Sequence, residues 1–67
     1  MSIAKVIEVS SESSSSFDEA AKNAVTEVSK TVKNIKHVYV KDFEIQVNDD
    51  GSHTFRTNCK VTFVVSE

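Results

Sequence analysis

Residues 35–65 read IKHVYVKDFEIQVNDDGSHTFRTNCKVTFVV, two runs rich in β-branched and aromatic residues on either side of Asn48-Asp49-Asp50-Gly51. Asn, Asp and Gly supply the side-chain-to-backbone bonds and positive φ that a chain reversal needs, so this junction predicts a hairpin. In residues 53–65 the alternation is strict. Phe55, Thr57, Cys59, Val61, Phe63 and Val65 share one face, and Thr54, Arg56, Asn58, Lys60 and Thr62 share the other, which is the period of a half-buried strand. In residues 35–47 it is broken: Val38 and Val40 are apolar on even positions, but Phe43, Ile45 and Val47 on odd ones. Strand side chains alternate between faces, so the change of parity predicts a bulge near Lys41-Asp42.

Working outward from the hairpin, Ser16-Phe17-Asp18-Glu19 has the spacing of a capping box, in which Ser16 accepts from the third N–H on and Glu19 reaches back. Asp18 and Glu19 also stand where a helix dipole favours negative charge. Phe17, Ala20, Ala21, Ala24, Val25, Val28 and Val32 then fall on one helical face. They predict a helix over 17–33, about 25 Å long, whose three alanines allow close approach to whatever it covers. Residues 3–9, IAKVIEV, read as a first strand, and residues 10–16, SSESSSS, as a loop ending in the cap.

The expected order is β-α-β-β, an α+β fold. The helix returns the chain, so the first two strands run parallel and the hairpin sets the third antiparallel to both. A third strand between them gives a three-stranded antiparallel sheet of order 1-3-2, wrapped around one helix. Strands of eleven to thirteen residues reach roughly 36–43 Å, further than the helix. The surplus apolar strand surface is expected to meet other subunits.

Sixty-seven residues, 39% of them apolar, make one domain, 1–67. A chain of this size buries only about 60% of its unfolded surface, so its core is marginal without a staple. Cys59 is the one cysteine, which excludes an internal disulfide, and no Cys/His grouping has the spacing of a structural zinc site. Self-association is the staple that remains. A net charge of -2 and a single Arg, Arg56, argue against nucleic acid as a partner. No apolar run approaches the ~20 residues of a membrane span, and Met1-Ser2-Ile3-Ala4-Lys5 does not open a signal peptide. No membrane partner and a cytoplasmic location are expected. Leu is absent while Val is abundant, a bias toward strands.

Lys5-Val6-Ile7-Glu8-Val9, Ser16-Phe17-Asp18-Glu19-Ala20-Ala21, Ala24-Val25, Thr31-Val32-Lys33-Asn34-Ile35, Phe55-Arg56-Thr57 and Lys60-Val61-Thr62-Phe63 together resemble the dodecin family. The resemblance implies a hollow homododecamer that binds a flavin, FMN or riboflavin, for storage or buffering and without catalysis. It further implies the site. An isoalloxazine ring wants an aromatic face to stack on and polar groups at its edge. The family's Trp early in the second strand and Gln in the third are matched here by His37 and Arg56. Asp42 matches a position near the ligand's side chain, and Tyr39 shares the face of His37. The expected cofactor-binding residues are therefore His37, Tyr39, Asp42 and Arg56. The alternative is a flavin-free dodecin-like shell that takes a divalent cation such as calcium, or another phosphate-bearing cofactor.

Arg56 offers a planar fixed charge suited to phosphate, from which FMN is expected to bind better than riboflavin. The hairpin also sets it to pair with Glu44. No catalytic residue is expected: Cys59 has no neighbouring base and reads as a small hydrophobe in a strand. Asn48-Asp49-Asp50-Gly51 lacks the alternating ligands of an EF-hand loop and reads as a turn, so no metal ligand is assigned.

Overall fold

β3 (His53–Ser66) is the strand around which the others are placed. In the computed structural model, which describes residues 2–66, it is flanked by β1 (Ile3–Ser13) and β2 (Ile35–Val47), with α1 (Phe17–Ser29) between them in sequence. The sheet order is β1-β3-β2 and both pairings are antiparallel. The strict alternation of β3 becomes a partition along the middle of the strand. Thr57, Cys59 and Val61 are buried beneath the helix, while Arg56, Asn58, Lys60 and Thr62 are only half-buried on the outer face.

The parity change in β2 is a register shift. Val40 pairs with Cys59 and Asp42 with Asn58, leaving Lys41 as the extra residue. The bulge re-phases the strand, so that Phe43 and Ile45, opposite Thr57 and Phe55, return to the helix face. A second shift lies between Ile35 and His37.

Two boundaries differ from the expectation. β1 runs on through the serines to Ser13, with Ser10, Ser11, Glu12 and Ser13 opposite Asn58, Thr57, Arg56 and Phe55. Serine is a weak strand former, but the central strand supplies the ladder bonds whatever side chains the edge carries. Ser13, only 7% exposed, then organises the turn into the helix. Its hydroxyl accepts from the N–H of Ser15 at 2.9 Å and of Ser16 at 3.4 Å, and donates to Glu19 Oε1 at 2.9 Å. The forward half of the capping box forms, with Glu19 N–H donating to Ser16 Oγ at 3.0 Å. The return half does not, because the Glu19 carboxylate is taken by Ser13.

The helix is shorter than its apolar stripe. It ends at Ser29, about 20 Å from its start at 1.5 Å per residue, and closes through N–H bonds from Lys30, Thr31 and Val32 onto Glu27 and Val28 carbonyls. Two β-branched residues, Thr31 and Val32, followed by Asn34 at φ 63°, stop it. Asn tolerates the left-handed region better than other residues with a Cβ, and the Asn34 carbonyl accepts from Val64 N–H at 3.1 Å, fixing the connector to β3.

Ala20 and Ala24 are the helix residues that vanish from the surface, and their small side chains let α1 lie low on the sheet. The helix rests on β1 and β3 and barely meets β2. Phe17 anchors its start, edge-on to Phe43 at 5.2 Å and to Phe55 at 5.1 Å between ring centres. Beyond that anchor the far end of β2 is bare: Ile45 and Val47 remain exposed, Val47 by 69%. The chain measures 51 × 20 × 15 Å, so the strand surplus expected from the lengths is present. Among the described residues no helix is long and apolar enough to cross a membrane.

Candidate functional site on the outer face of the sheet

The face opposite the helix is read in rows across β1, β3 and β2. One end has Val6, Thr62 and His37 in a row, and the next has Glu8, Lys60 and Tyr39. Ser10, Asn58 and Asp42 follow, and then Glu12, Arg56 and Glu44. All four expected site residues therefore share this face. Tyr39 is 61% exposed and His37 is exposed beside it, because β2 is an edge strand and no helix crosses this side.

Arg56 is not a free cation. Its Nε donates to Glu12 Oε2 at 2.9 Å, and Nη2 donates to the same oxygen. Nη1 reaches Glu44 Oε1 at 3.5 Å and Nη2 reaches Gln46 Oε1 at 3.4 Å. The hydrogen bond to Glu12, and after it the charges of Glu12 and Glu44, hold the guanidinium proton even more firmly than usual. One residue of β3 thus ties all three strands, with two carboxylates around one cation. Asp42 accepts a hydrogen bond from Asn58 Nδ2 in the adjoining row. Lys41, displaced by the bulge, reaches Glu8 at 3.7 Å. At the hairpin, Asp50 accepts from both the N–H and the hydroxyl of Ser52, at 2.9 and 2.6 Å, which lowers its pKa.

His37 and Arg56 are far apart within one chain. His37 stands opposite Thr62, six residues along β3 from Arg56, roughly 20 Å at about 3.3 Å per residue. His37 and Tyr39 lie close together, Asp42 lies further along the same strand, and Arg56 belongs to a separate cluster at the other end. Cys59 is on the opposite face, 1% exposed, its thiol donating to Thr57 Oγ1 at 3.6 Å. No group of three His, Cys, Asp or Glu side chains able to hold a metal occurs among the described residues.

Residues 3–66 match the family model for dodecins. The chain belongs to the dodecin family. Among solved structures, it is 30% identical to the calcium dodecin of Mycobacterium tuberculosis, described as a calcium-chelating antigen with a novel calcium-binding site. That match covers 91% of this chain and 87% of the other, at a TM-score of 0.86. The dodecin from Streptomyces coelicolor is 27% identical, with 98% and 94% covered and a TM-score of 0.90. A single-residue variant of T. thermophilus dodecin, 19% identical over the full length of both chains, superposes with a TM-score of 0.91, a likeness of fold. No curated protein matches the chain.

Four outer-face residues are not among the expected site residues: Glu12, Gln46, Asn58 and Lys60. Gln46, Asn58 and Lys60 were available from the alternation alone, on the parities of Arg56 and Glu44. Glu12 was hidden because it was placed in a loop, and only the continuation of β1 to Ser13 brings it beside Arg56.

Proposed function

We propose that this dodecin is a non-catalytic flavin-binding protein, storing or buffering FMN or riboflavin in a hollow shell of twelve copies. The observation that carries this is the exposed aromatic pair, His37 and Tyr39, on one face of an uncovered edge strand, with His37 matching the position of the family's stacking Trp. A flat ring laid on that pair would hide aromatic surface that nothing in the chain covers. Asp42 and Arg56 are the proposed polar partners. The roughly 20 Å between His37 and Arg56 supports a pocket shared between neighbouring copies, with His37 and Tyr39 from one chain and Arg56 from another. The bare end of β2, around Ile45 and Val47, supports the assembly that such sharing requires.

Calcium is the second reading, favoured by the 30% identical relative described as a calcium chelator. Carboxylates from more than one copy would then have to converge, since none of the described residues form a cluster within one chain. Titrating riboflavin and FMN with protein and following flavin fluorescence tests the first reading. Saturable quenching is expected. Fluorescence unchanged at a large excess of protein, together with heat released on titrating calcium, would replace it with the second.

A further inference from the structure

We propose that Lys60 selects an anionic flavin at this site, in the role that the sequence suggested for Arg56. This assignment rests on the flavin-binding function proposed above and adds to it the class of flavin and the residue that recognises it.

Three cations stand on the outer face: Lys41, Arg56 and Lys60. They are not equivalent. Arg56 is held by Glu12, Glu44 and Gln46, which engage four of its five N–H donors, and its charge is exceeded by the two carboxylates around it. A phosphate dianion brought there would meet net negative charge. Lys41 leans on Glu8 at 3.7 Å. Lys60 takes part in no ion pair among the described residues.

Position matters as much as partnership. Lys60 is directly opposite Tyr39 on β2, one row from His37, and opposite Glu8 on β1. Directly opposed strand residues have Cβ atoms about 5 Å apart, so the ammonium group lies within reach of a ligand stacked on Tyr39. Glu8 is the one carboxylate in that row, and Lys41 shares it. The remaining acid nearby, Asp42, accepts a hydrogen bond from Asn58 and makes no ion pair with Lys60. The face is therefore divided. Lys41 and Lys60 balance Glu8 and Asp42 around the aromatic pair, whereas two glutamates outnumber one arginine at the other end. A planar aromatic ligand with an anionic tail fits the aromatic end, and a phosphate there gains a charge-assisted hydrogen bond from a lysine that loses no existing partner. Both neighbouring residues of Lys60, Cys59 and Val61, are buried, so the central strand holds the lysine backbone rigidly in place.

The test compares FMN and riboflavin by fluorescence titration at low salt for wild type, Lys60→Gln, Lys60→Arg and Arg56→Gln, each checked for unchanged oligomeric mass. Wild type is expected to bind FMN about two- to fivefold more tightly than riboflavin, the range of a partly exposed ion pair, with the preference fading at high salt. Lys60→Gln abolishes the preference and leaves riboflavin affinity unchanged; Lys60→Arg keeps it; Arg56→Gln does not remove it. Equal affinities in wild type, or a preference that survives Lys60→Gln and disappears in Arg56→Gln, overturns the role of Lys60 while leaving flavin binding intact. Binding of neither flavin overturns the proposed function, and the selection with it.

Discussion

Replacing Ser13 by Ala removes the three hydrogen bonds that its hydroxyl makes at the junction of β1 and α1. Two of these, from Ser15 N–H and to Glu19, are 2.9 Å long; the third, from Ser16 N–H, is 3.4 Å and weak. Each sound bond contributes about 1 kcal/mol net. Ser13 is buried while Ser15 and Glu19 are exposed, so water recovers part of the loss on their side but cannot reach the vacated position freely. The expected cost is about 2 kcal/mol. Ser16→Ala removes one N-cap bond and is expected to cost about 1 kcal/mol. For a chain of this size 1 kcal/mol moves Tm by roughly 4–8 °C. Thermal unfolding followed by circular dichroism, at one fixed protomer concentration because assembly shifts Tm, should rank Ser13→Ala below Ser16→Ala, and both below wild type. Ser13→Ala melting with wild type, or Ser16→Ala proving the more damaging, would refute Ser13 as the organiser of the helix start.

Cys59, sealed beneath the helix, should react with iodoacetamide far more slowly in the native protein than in denaturant; equal rates would place it at the surface. The Asp50 pKa is depressed by its bonds to Ser52, so its contribution to stability is present above the ordinary carboxylate pKa and lost as pH falls through the lowered one. Asp50→Asn should therefore melt below wild type at neutral pH and converge with it in acid, and a gap constant across the acid range would contradict this. His37→Trp should tighten flavin binding roughly two- to tenfold, since a stacked aromatic pair contributes about 0.5–1.5 kcal/mol beyond its buried area. No gain in fluorescence quenching would remove His37 from the site.

Alternation and helical spacing carried most of the fold. The parity change at Val40-Asp42 announced the bulge because only an inserted residue returns Phe43 and Ile45 to the helix side of the sheet. The Asn48–Gly51 signal set the hairpin, and the alanine stripe the helix face. What was hidden depended on partners distant in sequence. Ser10–Ser13 have no strand signal of their own and are extended because β3 pairs with them. Val32 keeps the helical period and stays half-buried, yet Asn34 must turn left-handed to bring β2 into register, so the helix stops before the stripe does. The site followed the same division. His37, Tyr39, Asp42 and the Arg56–Glu44 pair lie on one hairpin and could be placed on one face by counting. The grip of Glu12 on Arg56 joins residues 44 positions apart, and it changes Arg56 from a free phosphate ligand into the tie between three strands.

Native mass spectrometry of the purified protein with added FMN measures assembly and ligand binding together. A particle of about twelve times the 7.4 kDa chain, gaining mass in whole flavin increments and losing them when His37 and Tyr39 are both replaced by Ala, is the expected result. A folded monomer, or a twelve-chain particle whose mass does not change at saturating flavin, would contradict a flavin-storing shell.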